Sequence, residues 1–318
     1  MKKNMINFPL VSVIVISYNQ KPYIDDCMQG LLNLSYPNIE LLYLDDCSPD
    51  GSFDKACQYE ESIRKKFERV SFIGNTVNQG LIKNLNSLVM QCHGKYVKFI
   101  AADDFLLSES IDQMVAFMEL NSEYDLIYSN AWYGDAETHF LFDTSKLSPI
   151  YTELQPNGRY LFEQLYRNDF IAAPTVMVKR ELYERVGLYD PNLEIEDWDF
   201  FLRVARQGSI GYLDEETVVY RYTEGSLSHS DHPLRRINMQ RSGLLIQEKY
   251  KELVSDSREI MTKSYNEAYQ DALHINNAEY FKFLDEFSRR EQLHLSLKNK
   301  LRTLLYKLRI FEMMEKFR

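Results

Sequence analysis

The chain contains no apolar run near the ~18–20 residues that a membrane-crossing helix needs, so no such helix is expected. Cysteine is sparse: Cys27, Cys47, Cys57 and Cys92 are the four among 318 residues. None forms a Cys-x-x-Cys pair, which argues against a zinc site and for free thiols in a reducing compartment. Basic charge is short as well, with 37 Lys and Arg against 47 Asp and Glu and a net charge of -10. Nucleic acid requires a basic footprint, so a general nucleic-acid binder is excluded. Before Pro9 the chain carries Lys2 and Lys3 but no apolar stretch of signal-peptide length, and a cytoplasmic location is expected. Internal repeats and low-complexity tracts are also missing.

What is present is ordinary globular material, 45% hydrophobic, enough for a sizeable core. Leu10 to Ile16 is almost wholly apolar and rich in β-branched residues, the pattern of a strand buried on both faces of a parallel sheet. Ile24, Cys27, Met28, Leu31 and Leu32 then recur at helical spacing after Pro22. Further strands are predicted at Ile39–Leu44, Val70–Ile73, Tyr96–Ile100 and Asp125–Asn130, with helices between them, one of them running from about Ser108 to Leu120. This alternation predicts βαβ units and a mostly parallel, doubly wound α/β sheet flanked by helices. Ala131 to Tyr151 mixes aromatic and polar residues and reads as a hairpin or insertion. Beyond it come a helix at Gly158–Arg167, a strand after Pro174, a short helix stopped by Gly187, and a helix opening at Glu194–Asp199. Ile210–Leu213 and Thr217–Tyr222 read as two short strands. From about Pro233 the pattern is entirely helical. The expected organisation is a catalytic domain over 1–230 and a helical appendage over 231–318.

Polar clusters stand at three strand ends: Ser17-Tyr18-Asn19, Asp45-Asp46 and Asp103-Asp104. In an open α/β sheet such ends share one edge, where ligands bind. Adjacent carboxylates there can hold a divalent cation, because hard cations use one or two carboxylates together with substrate phosphates. Two solvated loop acids are the plainer reading of Asp103 and Asp104 taken alone.

The order of these clusters, followed by Asn78-Gln79-Gly80 with Asn86 and by Glu196-Asp197-Trp198-Asp199, resembles glycosyltransferase family 2 across roughly Pro9 to Ser228. The resemblance implies a GT-A fold and an inverting transfer of a sugar from a nucleotide diphosphate, a UDP-sugar, to a hydroxyl of a saccharide or lipid-linked saccharide. It implies an activity of the hexosyl- or N-acetylhexosaminyl-transferase class, in cell-surface polysaccharide synthesis. By similarity, Ser17, Tyr18 and Asn19 would line the nucleotide pocket and Asp46 would accept the uracil imide N–H. Asp103 would meet the ribose, or the metal through water. Asp104 would ligate Mg²⁺ or Mn²⁺, which stabilises the departing diphosphate. Asp197 would be the general base, on the face opposite the leaving nucleotide, and Glu196 and Asp199 its supports. Trp198 would be an apolar wall or a stacking face. Cys47 departs from the Gly or Asn frequent at its position, which leaves the shape of that loop open. Thr223 stands where many members carry a His after Tyr-Arg. Arg221 is expected to pair with phosphate or with a nearby acid, and His229 either substitutes for the missing His or lies on the surface. The loop Thr223–His232 could close over substrate.

Two rival readings are a sugar-nucleotide nucleotidyltransferase and a non-catalytic relative that acts as a scaffold. The first wants a Gly-rich loop after the first strand, and Ser17–Tyr23 contains no Gly. The second is disfavoured by carboxylates at every expected position. The tail 288–318 sets leucines at helical spacing among Arg289, Arg290, Lys298, Lys300, Arg302, Lys307, Arg309, Lys316 and Arg318. That pattern suits either peripheral contact with an anionic inner membrane surface or packing on protein.

Overall fold

The computed structural model describes residues 8–135, 137–139, 148–150, 161–223 and 232–304. Phe140, Phe142, Tyr151 and the whole loop 224–231, with His229, lie outside these residues, as does the tail from 305. The chain divides into two compact units, one of 1–191 with 196–226 and one of 192–195 with 227–318.

The first unit is built on one sheet. Its strands are β1 (Val11–Ser17), β2 (Ile39–Asp45), β3 (Arg69–Gly74), β4 (Tyr96–Ala101), β5 (Phe105–Leu106), β6 (Leu126–Gly134), β7 (Ser148–Ile150), β8 (Met177–Lys179) and β9 (Ile210–Arg221). They lie in the order β3-β2-β1-β4-β8-β6-β9-β5, with β7 added beside β6. The β3-β2-β1-β4 half is parallel throughout. Short β8 runs antiparallel to both β4 and β6, so β6 and β9, themselves a parallel pair, point the same way as β4. The sheet is therefore mixed but mostly parallel, and the C-terminal ends of β1, β2, β4, β6 and β9 share one edge.

Every residue of β1 and β2 is buried, as expected for strands covered on both faces. Helix α1 (Ile24–Asn33) packs Ile24, Cys27, Met28 and Leu31 into the core, each fully buried. Burying a side chain of this size contributes roughly 1.5–3 kcal/mol before entropy is subtracted. Gly30 lets α1 approach β5 closely: a Cβ there would stand 3.1 Å from the Leu106 carbonyl oxygen and 3.2 Å from the Phe105 Cβ. Helices α2 (Ser52–Cys57), α3 (Glu60–Lys66), α4 (Leu81–Val89), α5 (Ser110–Leu120), α6 (Leu161–Arg167), α7 (Leu182–Val186) and α8 (Glu196–Gln207) complete the unit.

Three elements differ from the sequence reading. The helix expected between the second and third strands, running to about Phe67, is two helices, α2 and α3. Strand β5, two residues long, is too short to carry any periodicity. The two strands expected at Ile210–Leu213 and Thr217–Tyr222 are one, because β9 bulges opposite Ser129–Ala131 of β6: Asp214, Glu215 and Thr217 are extra residues, and Glu216 pairs with Asn130. The polar run that looked like a break is the bulge itself, with Asn130 Nδ2 donating to Asp214 Oδ1 at 3.0 Å. The hairpin reading after Ala131 is met by the antiparallel β6–β7 pairing.

The second unit is helical: α9 (Pro233–Tyr250), α10 (Ser257–Ile275), α11 (Ala278–Glu291) and a helical stretch over 297–304. Asn276, at φ 56°, ends α10 in the left-handed conformation, and Asn277 caps α11 by accepting from the Tyr280 N–H at 2.9 Å. Leu244, Met261, Tyr265, Ala272, Tyr280, Leu284 and Phe287 fill its core.

Cys47 settles the question of its loop. It adopts φ 63°, the left-handed region that Gly and Asn tolerate and a cysteine does not favour. Replacing this exposed residue, Cys47→Asn, is expected to stabilise the protein by about 0.5–1 kcal/mol in urea unfolding. A loss of stability would mean that the thiol makes a contact worth more than the backbone strain.

Candidate active site

The nucleotide-side loops form where β1 and β2 end. Ser17 is buried, and its hydroxyl donates to Asp45 Oδ2 at 2.7 Å and meets the Tyr43 hydroxyl at 2.6 Å. Its side chain is therefore sealed inside the sheet and does not line the edge as expected; Tyr18 and Asn19 beside it are exposed. Asp45 also accepts from the Ser48 N–H at 2.8 Å and the Ser48 hydroxyl at 2.6 Å, and Asn19 N–H donates to that same hydroxyl at 3.0 Å. These bonds lock the β1 and β2 loops together, with Asn19 and Cys47 both at positive φ.

Asp46 closes the next turn. It accepts from the backbone N–H groups of Gln79 and Gly80 and from Asn75 Nδ2, each at 2.8 Å. Burial pushes its pKa up, but these hydrogen bonds outweigh burial and hold the carboxyl below its ordinary value. Gly80, at φ 84° and ψ 155°, occupies a conformation open essentially only to glycine, which brings its N–H to Asp46. Asn86 clips a distant loop, donating to the Tyr189 carbonyl at 2.8 Å and accepting from its N–H at 3.0 Å.

Asp103 and Asp104 follow β4 and are 6% and 2% exposed. Asp104 Oδ1 accepts the Arg221 backbone N–H at 2.8 Å, and Arg221 Nη1 donates to the Asp103 carbonyl at 2.6 Å. Arg221 Nη2 donates to Asp26 Oδ2 at 3.0 Å and to the Thr138 carbonyl at 2.6 Å. The guanidinium lies between the rings of Tyr23 and Phe105, 4.8 and 5.3 Å from their centroids. Of the two partners expected for Arg221, a phosphate or an acid, the structure supplies the acid, Asp26, and the side chain is 1% exposed. Thr223, at the position of the missing His, donates to Asp103 Oδ2 at 3.2 Å.

Burial raises the pKa of Asp104 well above the ordinary value; the neighbouring Asp103 charge adds to this, and Arg221 and Lys98 oppose it. Burial raises that of Asp103 too. Two adjacent carboxyls that resist ionisation suit a divalent cation, which would remove the cost of charging both. Among the described residues no group of three or more acids, His or Cys is arranged as a complete metal cage. One or two carboxylates completed by substrate phosphates is the ligand set that Mg²⁺ commonly takes.

Lys98 escaped the sequence reading. It is fully buried in β4, where its Nζ donates to the carbonyls of Pro174 and, at 3.2 Å, Val176. Burial lowers its pKa to about 7, against the pull of the Asp104 charge. The signal was a lone lysine inside an otherwise apolar strand.

The second acid centre opens α8. Asp197 accepts the Trp198 N–H at 2.8 Å, and burial raises its pKa to about 6. Trp198 is 7% exposed, with its ring N–H donating to the Leu165 carbonyl at 2.6 Å, so it is a wall that fastens α6 to α8 and not an open stacking face. Asp199 pairs with Arg203 at 2.9 Å, and Arg203 caps the end of α7 through the carbonyls of Val186, Gly187 and Leu188. Glu196 and Asp197 line a cavity of about 20 Å³, room for about one water, together with Tyr183, Tyr189 and the β4 residues Val97 and Phe99. Both acid centres thus depend on β4. Asp103 and Asp104 follow its end, and Asp197 lies against its body. Asp169, which sequence reasoning passed over, faces Asp197 and Glu196 electrostatically.

A mixed, mostly parallel sheet with loops locked at its carboxyl edge and a buried acid pair after β4 defines the GT-A class. Glycosyl transferase family 2 matches residues 12–187. The chain belongs to that family. It is 31% identical over 204 residues to an uncharacterised glycosyltransferase of Haemophilus influenzae, covering 64% of this chain and 74% of that protein. It is 28% identical over 222 residues to Bacillus subtilis TuaG, a glycosyltransferase whose name assigns it to teichuronic acid biosynthesis, covering 69% and 82%. S. aureus TarS 1-349, solved in complex with UDP-GlcNAc, shares the fold with a TM-score of 0.58 at 19% identity, over 82% of this chain and 72% of that one. The mannosyltransferase PcManGT of Pyrobaculum calidifontis, solved with GDP-Man and Mn²⁺, gives 0.56 at 14% identity over 95% and 85%.

Removing the Arg221 side chain takes the guanidinium donors from Asp26 Oδ2 and from the carbonyls of Asp103 and Thr138. Arg221→Met is expected to cost about 3–5 kcal/mol in urea unfolding. A loss below about 1 kcal/mol would show that water replaces the guanidinium without penalty.

Proposed function

We propose that this chain is an inverting glycosyltransferase of cell-surface polysaccharide assembly. It moves a hexosyl or N-acetylhexosaminyl group from a UDP-sugar to a hydroxyl of a saccharide or lipid-linked saccharide. The observation that carries this reading is the buried Asp103–Asp104 pair at the sheet's carboxyl edge. The donor class is supported by the UDP-GlcNAc and UDP complexes of TarS, and the pathway by the name of TuaG.

Tyr18 and Asn19 border the nucleobase, and Asp46, fixed in its charged form, reads the uracil imide N–H. Asp104 would hold Mg²⁺ or Mn²⁺ through its carboxylate, and Asp103 would meet the ribose, or the metal through water. When bound, the cation neutralises charge on the departing diphosphate. Arg221 holds the Asp104 carboxyl with its backbone N–H and the Asp103 main-chain carbonyl with Nη1. Asp197 takes the proton of the acceptor hydroxyl. A pKa near 6 makes it a stronger base than an ordinary carboxylate while leaving it mostly ionised at pH 7.5.

The active form of Asp197 is the ionised one, so kcat/KM falls as pH drops through about 6. Its stability effect has the opposite sense. The folded state favours the protonated carboxyl, so this contribution is present below about pH 4 and is lost as pH rises through about 6.

No helix among the described residues is long and apolar enough to cross a membrane. The 297–304 helix nevertheless exposes Leu297, Leu301 and Leu304 at 85%, 57% and 54%, one stripe flanked by Lys298, Lys300 and Arg302. Residues 288–318 hold nine Lys and Arg against three Glu in a chain of net charge -10. This stripe makes peripheral contact with an anionic inner membrane surface from the cytoplasmic side.

Turnover of a panel of UDP- and GDP-sugars, with Mn²⁺ and after EDTA, tests the reading. Activity is expected with UDP-sugars and metal only. Asp104→Asn and Asp197→Asn should each lower kcat by at least about 10³-fold, as loss of essential charge stabilisation or of the base requires. Asp104→Asn should also abolish the rise in melting temperature that Mn²⁺ with UDP gives the intact protein. Full activity in metal-free buffer would remove the cation, and wild-type turnover by Asp197→Asn would remove the base. The membrane contact is read separately by sedimentation with phosphatidylglycerol-containing vesicles. Leu301→Glu with Leu304→Glu should release the protein, and equal binding to pure phosphatidylcholine would exclude an electrostatic contact.

A further inference from the structure

The turn after β6 brings an imidazole to the sheet's carboxyl edge. Asp135 organises that turn: its Oδ1 accepts from the Glu137 N–H and the Thr138 hydroxyl, and its N–H donates to the same hydroxyl, each at 3.0 Å. The Thr138 carbonyl accepts Arg221 Nη2 at 2.6 Å, and the next residue, His139, sets its Nδ1 3.0 Å from Asp26 Oδ2. Asp26 stands in the first turn of α1 and its carboxyl is 8% exposed, whereas the His139 side chain is 65% exposed. The other ring nitrogen, Nε2, has no hydrogen-bond partner among the described residues.

Arg221 joins this imidazole to the acid pair. Its Nη2 pairs with Asp26 Oδ2 at 3.0 Å while its Nη1 donates to the Asp103 carbonyl at 2.6 Å. One guanidinium therefore bridges the anchor of His139 and the loop after β4. A carboxylate on Nδ1 fixes that nitrogen as the donor and sets the orientation of the ring. Asp26 already has Arg221 as its counter-ion. An imidazole protonated on both nitrogens thus carries a charge that the Asp26–Arg221 pair does not cancel, with an N–H turned away from the pair.

Such a group is complementary to an anion. A role as ligand to a cation shared with Asp103 and Asp104 does not fit, because among the described residues no three acids, His or Cys are grouped to hold one. Arg221 and Lys98, the cations that act on Asp104, are buried and bonded to main-chain carbonyls, so neither reaches a ligand. We propose that His139 is a donor-phosphate contact: its Nε2–H donates to a non-bridging oxygen of the nucleotide's diphosphate. The inference rests on the reading of this edge as a nucleotide-diphosphate site. His139 keeps its proton throughout. Its contribution is to charge that grows on the diphosphate as the anomeric bond breaks and the bonding electrons leave with the phosphate oxygen.

The test measures binding of UDP, GDP, uridine and inorganic pyrophosphate, each with Mn²⁺, to the full chain and to His139→Ala and His139→Asn by calorimetry. The Asn amide nitrogen takes the place of Nδ1 and keeps the bond to Asp26, while nothing replaces Nε2. The side chain is largely exposed, so neither substitution threatens the fold. Both variants are expected to bind UDP and pyrophosphate about tenfold or more weakly and uridine as the wild type does, as loss of a hydrogen bond to a charged group predicts. Wild-type affinity for UDP and pyrophosphate in His139→Asn would overturn the proposal, because a residue that only fastens the turn to α1 is served by Asn. Equal losses for uridine and UDP would also overturn it, since the disturbance would then lie at the base and not at the phosphates. Failure of the donor reading looks different. If GDP binds more tightly than UDP and His139→Asn weakens both, the UDP assignment has failed and the phosphate contact stands.

Discussion

The first unit depends on one buried cation. Arg221 ends β9 with its guanidinium in a slot between two aromatic rings, opposite Asp26 of α1. A buried ion pair contributes little by itself, because desolvation offsets much of the attraction. Its value here is positional. The same residue reaches the Asp103 carbonyl with its side chain and Asp104 Oδ1 with its backbone. Helix α1, strand β9 and the loop after β4 are therefore fixed by one residue, and the acid pair cannot shift unless all three move.

The carboxyl edge carries acids in two electrostatic states. Asp46 is held charged by backbone N–H groups and an amide, whereas Asp104 is held reluctant to ionise by burial and by Asp103. The first state suits a permanent acceptor for a neutral N–H. The second suits a site that becomes fully charged only when a cation arrives. Asp197 lies between these extremes, with a pKa near 6. The same side chain thus acquires different chemistry from what surrounds it.

The sheet was legible because its parallel half consists of continuous apolar runs, and Asp46, Asp103, Asp104 and Asp197 could be singled out because each sits in a short polar motif after such a run or at a helix start. The rest was hidden for physical reasons. Ser17 belongs to an apparent loop motif, yet it is the last fully buried residue of β1, and alternation along a strand sealed on both faces does not say which hydroxyls turn inward. Lys98 interrupts an apolar run, and nothing local announces the two carbonyls of a remote segment that its ammonium meets. Asp169 sits in an unpatterned stretch and is marked only by the charges of Asp197 and Glu196, remote in sequence, that act on it. For Arg221 a phosphate and an acid stood as alternatives, because nothing local announces Asp26, 195 residues away in the chain.

The loop that bears the acid pair is tied at both ends into the ladder. The Ala102 N–H donates to the Ile16 carbonyl at 3.0 Å, and the Leu107 N–H donates to the Thr217 carbonyl at 3.1 Å, with β5 paired to β9 between them. Such a cradle is preorganised: it has little conformational freedom left to surrender when a charged guest enters. Almost all the free energy of that encounter is then spent on neutralising two repelling acids, so affinity there follows ionic charge and protonation far more than it follows any rearrangement of the chain.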